Sequence, residues 1–304
     1  MRPHRGSAHN GETSPARQSA GRSTLFITGA ARGIGAATAE RLHARGDNVA
    51  LVGLEPERLE ALAARLGDRA AFFEADVTDR AALDAAVAGA VERFGGIDVA
   101  IANAGIHTTG SLLGADPDRI EHTLEVNLFG VLRTDLAVLP QIVQRKGYLL
   151  NVASLAAASH APLTGPYTAS KAGVEALTDT LRVELSTTGA RAGCAYFGFI
   201  DTDLVRASFA QSSTQTLQAN MPAFIRTPVP VGKAVDAIER AVDKRLARTW
   251  APRFVGGFLA LRGILQPLAE KRLMGSPELA AAIAEADAAG RSEGDLGVAG
   301  QLVS

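Results

Sequence analysis

The stretch "TLFITGAARGIGAATAERLHARG", residues 24–46, decides how the rest of the chain is read. Its opening "TLFIT" (24–28) is a short apolar run of the kind that forms a buried strand. Its close, "GAATAERLHARG" (35–46), spaces apolar residues as a helix does. Between them "TGAARGIG" (28–35) puts glycines at 29, 33 and 35, where the backbone must turn sharply and a ligand must come close. A helix that starts there points free N–H groups and the positive end of its dipole at an anion. A pyrophosphate suits that place. The competing reading is a glycine-rich turn with no ligand, and the glycines alone do not remove it.

Working outward, the same alternation continues. "NVALV" (48–52), "AAFFEA" (70–75), "IDVAIAN" (97–103), "GYLLNVA" (147–153) and "RAGCAYFGF" (191–199) read as further buried strands, with "TWAP" (249–252) as a short seventh. "PERLEALAARLG" (56–67) and "RAALDAAVAGAVERFG" (80–95) have helical periodicity, and longer helices are expected over 117–140, 166–188 and 231–246. Alternating strands and helices imply α/β architecture, a parallel sheet with helices on both faces. The pattern runs unbroken to about residue 200, so one domain is expected over 23–252, including a lid at 201–230 that contains no strand. Residues 253–304 read as a C-terminal helical extension and tail, in which Gly256, Gly257, Arg262, Gly263 and Pro267 break an apolar segment and one short helix follows.

Bulk composition narrows the function. The 304 residues are 47% hydrophobic, enough for a substantial core, and the net charge of −1 supplies no basic surface for nucleic acid. One cysteine, Cys194, excludes an internal disulfide and a multi-cysteine metal site, so a cytoplasmic setting is expected. Residues 1–22 are polar and Arg-containing without a signal-like apolar core, which reads as a disordered tail. No apolar run reaches the ~18 residues of a membrane-spanning helix. A packed subunit-interface helix is preferred over a membrane-surface helix for 254–268, leaving peripheral membrane contact as the lesser alternative.

The second informative stretch is "GPYTASKAGVEAL" (165–177). On a helix Tyr167 and Lys171 project side by side, one turn apart. A tyrosine of ordinary pKa ~10 is a poor base at neutral pH, and a neighbouring ammonium is expected to lower that value. Ser154 ends the strand "GYLLNVA" thirteen residues earlier, on the sheet edge that the nucleotide would share. Isolated Tyr-x-x-x-Lys pairs are common surface features; the upstream serine and glycine turn are what give this one chemical meaning.

In the order TGAARGIG (28–35), DV (76–77), NAG (103–105), Asn127, Ser154, Tyr167-x-x-x-Lys171 and IDT (200–202), the chain resembles the short-chain dehydrogenase/reductase family over about residues 23–250. The resemblance implies a Rossmann-type, seven-stranded doubly wound sheet and a nicotinamide dinucleotide cofactor. It implies that Tyr167 exchanges a proton with the substrate oxygen, that Ser154 holds that oxygen, and that Lys171 lowers the tyrosine pKa and binds the ribose. Asn127 would keep a helix bent around a proton-relaying water. Gly29, Arg32, Gly33, Ile34 and Gly35 would cradle the cofactor phosphates, Gly53, Asp76 and Val77 the adenosine end, Asn103, Ala104 and Gly105 its flank, and Ile200 and Thr202 the carboxamide. A homodimer or homotetramer is implied as well.

Two features depart from that pattern. Phe197-Gly198 stands where the family usually has Pro-Gly, and the phenyl ring is expected in the core rather than the substrate pocket. Gly53 replaces the carboxylate that would bind a ribose 2′-hydroxyl, leaving room for a 2′-phosphate within reach of Arg32; Glu55 could instead swing back to the ribose. NADP is preferred over NAD on this ground. Leu204, Val205, Phe209, Leu217, Met221, Phe224 and Ile225 favour a small hydrophobic carbonyl or alcohol substrate, and no metal is needed. His107 and His160 could line the pocket, with solvated loops preferred for both. The alternatives are a non-catalytic dinucleotide-binding sensor or scaffold and an acyl-carrier-linked 3-oxoacyl reductase.

Overall fold

The computed structural model describes residues 22–219 and 221–296; residues 1–21 of the expected tail, residue 220 in the lid and 297–304 of the extension lie outside the described residues. Seven strands, β1 (Thr24–Thr28), β2 (Asn48–Gly53), β3 (Ala70–Glu74), β4 (Val99–Ala102), β5 (Tyr148–Val152), β6 (Arg191–Phe197) and β7 (Arg248–Ala251), form one parallel sheet in the order β3-β2-β1-β4-β5-β6-β7. Strand order reverses between β1 and β4, where the carboxyl ends part and open a crevice.

Helices cover both faces, which explains why the central strands are continuously apolar instead of alternating. Successive residues of β1 show the division: Leu25 and Ile27 enter one core with Leu42, Leu51 and Ile238, while Phe26 enters the other with Leu83, Val138 and Leu149. The first core lies under α1 (Gly33–Ala44), α2 (Pro56–Leu66) and α10 (Val231–Lys244). The second lies under α3 (Arg80–Phe94), α5 (Gly130–Gln144) and α6 (Gly165–Glu184). The Rossmann-type, three-layer reading of the sequence holds.

The helix expected as one piece over 117–140 is three. α4 (Pro117–Leu124) and α5 are joined by a π-helical turn, Glu125–Phe129. Asn127, fully buried in that turn, accepts from the Ile106 N–H at 2.8 Å and donates to the Ile106 carbonyl at 2.8 Å. Those bonds tie the helix to the loop after β4, and the wider turn accommodates them. By length and hydropathy 117–144 is the only candidate membrane span among the described residues. Its Asn127, Val131, Asp135, Val138 and Ile142 are buried inside the protein.

The lid contains three short helices, α7 (Asp203–Phe209), α8 (Ser212–Gln218) and α9 (Ala223–Arg226), closed at its base by an isolated parallel bridge between Ile200 and Val229. The extension differs from expectation in two ways. Residues 254–273 form a continuous helix, α11 (Phe254–Leu273), with Pro267 inside it, so the glycines and proline do not break it. The short final helix is instead α12 (Pro277–Leu296), twenty residues long. It folds back so that Ala282, Ile283 and Ala286 pack on Leu217 of α8 and on Leu163. The Ser111 hydroxyl donates to Asp287 and the Thr216 hydroxyl to Glu285, fastening α12 to the loop after β4 and to the lid.

Candidate active site

Two recesses meet at the carboxyl edge of the sheet. The first begins at the glycine turn. Gly33, the first residue of α1, has φ +58°, and a Cβ there would meet only the Thr202 methyl, at 3.6 Å, so the turn opens into a cleft. Gly35 has the opposite constraint: a Cβ would collide with the Gly29 carbonyl, so this glycine lets α1 pack tightly under its own turn. The cleft runs past Gly29, Arg32, Ile34 and Ala104, then past Gly105, Ile200 and Thr202 to Lys171, Tyr167 and Ser154. Asn103 both lines it and braces it. Its Nδ2 donates to the Thr28 and Gly29 carbonyls at 3.1 and 3.2 Å, and its N–H donates to the Thr28 hydroxyl at 3.0 Å.

Gly53, Asp76 and Val77 lie at the ends of β2 and β3, on the opposite side of β1 from Tyr167. Asp76 accepts from the Thr78 N–H at 2.8 Å and Val77 is nearly buried. Arg32 is not held ready for a phosphate: its guanidinium pairs with Glu55, with Nε donating to Oε2 at 3.1 Å. An elongated group with a phosphorylated middle fits this cleft, since the glycine turn leaves room at Gly33 at the start of α1 and the cleft continues from there to Lys171 and Tyr167.

The catalytic candidates meet at the far end. Ser154 caps the turn after β5 by accepting from the Ala156 N–H at 3.1 Å, and its hydroxyl donates to the Phe197 carbonyl at 3.3 Å. Lys171 is buried, with Nζ 5.8 Å from the Tyr167 ring centroid and donating to the Val152 carbonyl at 2.9 Å. Ser170, between them in sequence, accepts from the Asn127 amide at 3.3 Å, so Asn127 reaches α6 as well as the β4 loop. The largest influence on the Tyr167 pKa in this structure is burial rather than Lys171. Burial raises Tyr167, a hydrogen bond with Ser154 opposes that rise, and burial pulls Lys171 down to about 8. The ammonium lies 5.8 Å from the ring and is committed to a carbonyl, so desolvation prevails over its field.

The second recess is apolar and shares Ser154, Tyr167, Leu204 and Val205 with the first. Phe209, Met221 and Ile225 close it from the lid as expected. Leu217 packs instead against α12, and Phe224 is exposed and stacks on Phe254 at 5.4 Å. Phe197 is buried in the core as expected and lines the recess as well.

Of the two places open to His107, the structure selects the pocket. His107 lines the apolar recess and stands edge-on to the Tyr167 ring, with centroids 4.6 Å apart. Burial lowers its pKa to about 4. Its position directly after "NAGI", at the carboxyl end of β4, was the available signal. His160 is exposed, with its backbone N–H donating to Gln266 of α11 at 2.8 Å. Among the described residues no cluster of potential ligands could hold a metal.

Comparison with known proteins agrees with this geometry. Residues 23–213 match the family model described as short chain dehydrogenase. The trans-4-hydroxycyclohexanecarboxylate dehydrogenase of Sinomonas cyclohexanicum is 36% identical over 188 residues, 59% of this chain and 73% of that protein. A short-chain dehydrogenase from Streptomyces avermitilis superposes with a TM-score of 0.71 at 28% identity, covering 83% of this chain and 95% of that one. An alcohol dehydrogenase from the archaeon Thermococcus sibiricus, solved with 5-hydroxy-NADP, gives a TM-score of 0.65 at 26% identity over 75% of this chain and 94% of that one.

Proposed function

The chain belongs to the short-chain dehydrogenase/reductase family, and from that premise we propose that it interconverts a secondary alcohol and a ketone on a small hydrophobic substrate, with Tyr167 as general acid and base. Family membership supports an NAD(P)-dependent oxidoreductase, and the relative from Thermococcus solved with an NADP derivative supports a dinucleotide in the glycine-turn cleft. One observation carries the reading: the Ser154 and Tyr167 side chains border both the dinucleotide-shaped cleft and the apolar recess, so a group in either faces the same two hydroxyls.

When bound, the nicotinamide supplies or takes up the hydride. The protein's residues handle the oxygen. In reduction the substrate oxygen gains negative charge, Ser154 donates a hydrogen bond to it, and Tyr167 transfers its phenolic proton. A phenol of ordinary pKa ~10 is protonated at neutral pH, the form needed to act as an acid, and burial raises that value further. Lys171, four residues on and beneath the cleft floor, would hold the ribose and replace protons on Tyr167. Asn127 positions Lys171 and Tyr167 indirectly by fixing Ile106 and Ser170.

The test is Tyr167→Phe, assayed with a panel of apolar ketones and both reduced cofactors. Cofactor affinity, read by nicotinamide fluorescence, should hold while turnover falls at least ~100-fold, in line with usual acid–base contributions. A variant as active as the parent would remove Tyr167 from the chemistry.

A further inference from the structure

We propose that the substrate is uncharged throughout, not merely at the reacting carbonyl, and that residue 107 sets this selectivity. The inference rests on the oxidoreductase reading above and deepens it. Among the described residues that line the apolar recess there is no Asp, Glu, Lys or Arg. Its polar groups are hydroxyls, those of Ser154, Ser159, Thr164, Tyr167 and Ser208, together with the imidazole of His107. Arg206, the cation carried by lid helix α7, is engaged by Asp201 and Asp203.

A carboxylate drawn into such a recess would leave water and meet no opposite charge, which is costly unless it is paired or takes up a proton. His107 is the one group in the lining that could become a cation, and burial keeps it neutral at physiological pH. It can still donate one hydrogen bond or accept one, as a neutral imidazole does. Its Nδ1 lies 3.3 Å from the Thr109 hydroxyl, and its ring lies edge-on to Tyr167. A neutral group beside the catalytic phenol admits a hydroxyl, ketone or ester there and penalises an anion.

The experiment compares acid and methyl ester of the same ketone, using 4-oxocyclohexanecarboxylate and 4-acetylbenzoate, in the full chain at pH 7 with NADH and NADPH. The esters should be reduced with kcat/KM at least ~100-fold above the acids, the scale on which mispaired buried groups discriminate. Acids reduced within tenfold of their esters would overturn the inference while leaving the oxidoreductase reading intact. No turnover of any acid or ester, with cofactor binding retained, would overturn both. His107→Lys should raise the acid-to-ester ratio at least ~10-fold, a comparison that cancels any general loss of rate. An unchanged ratio in a folded variant would remove residue 107 from the selectivity. Ser208→Lys, placing a cation on the lid side of the recess, gives the same readout should the first variant not fold.

Discussion

At the scale of single residues, the site is governed by desolvation more than by pairwise charge. Lys171 bonds to the Val152 carbonyl, and burial pushes the Tyr167 pKa up and the Lys171 pKa down to about 8. Arg32 and Glu55 neutralise one another beside the glycine turn, where the proposed cofactor site would meet a ribose 2′-substituent. Glu55→Gln removes the competing carboxylate and frees the guanidinium. The NADPH-to-NADH affinity ratio should then rise roughly tenfold, about 1.4 kcal/mol, as expected for one charge-assisted contact. Fluorescence titration with both cofactors checks this, and an unaltered ratio would mean that the pair does not touch the cofactor. Away from the cleft, Asp135 is buried beside Asn151, whose amide donates to it at 2.9 Å, and burial raises its pKa to about 8 from an ordinary 3.8. The folded state therefore keeps a proton that the unfolded chain releases, so stability falls as pH rises from about 4 to about 8. Asp135→Asn imitates the neutral acid. Its melting temperature should drop less between pH 5 and pH 8 than the parent's; equal drops would show that Asp135 is ionised in the fold.

At the scale of elements, the π-helical turn and the last helix matter most. The turn holds a fully buried asparagine that bonds both the β4 loop and α6. α12 acts on the other side of the site. Through Ile283 on Leu217, Glu285 on Thr216 and Asp287 on Ser111, it holds lid helix α8 against the loop after β4. Ending the chain at residue 276 should leave the sheet and cofactor binding intact. It should also raise KM for an apolar ketone roughly tenfold and open 201–230 to proteolysis, because lid positioning alters substrate capture before chemistry. Unchanged KM and an unchanged cleavage pattern would show that the lid closes without α12.

At the scale of the whole molecule, the sequence and the tertiary structure contributed different things. Strand and helix order, the glycine turn and the identities of Ser154, Tyr167 and Lys171 were legible because they depend on local periodicity and on spacing along one chain. All of β1 to β7 were found, and the parallel sheet followed from their alternation with helices. The rest concerns burial and partners. The pocket position of His107, the carbonyl that holds Lys171, the Arg32–Glu55 pair and the unbroken helix of the extension are not legible in local spacing. Each depends on what residues distant in sequence do: Tyr167 beside His107, the Val152 carbonyl under Lys171, Glu55 across from Arg32, and α8 beneath α12. The amino-acid order by itself determined the α/β sheet and the chemical groups at its edge, since hydrophobic period and backbone sterics act over a few residues. Only the folded molecule decided which of those groups are desolvated, paired or covered, because dielectric and contact are properties of the space around a side chain.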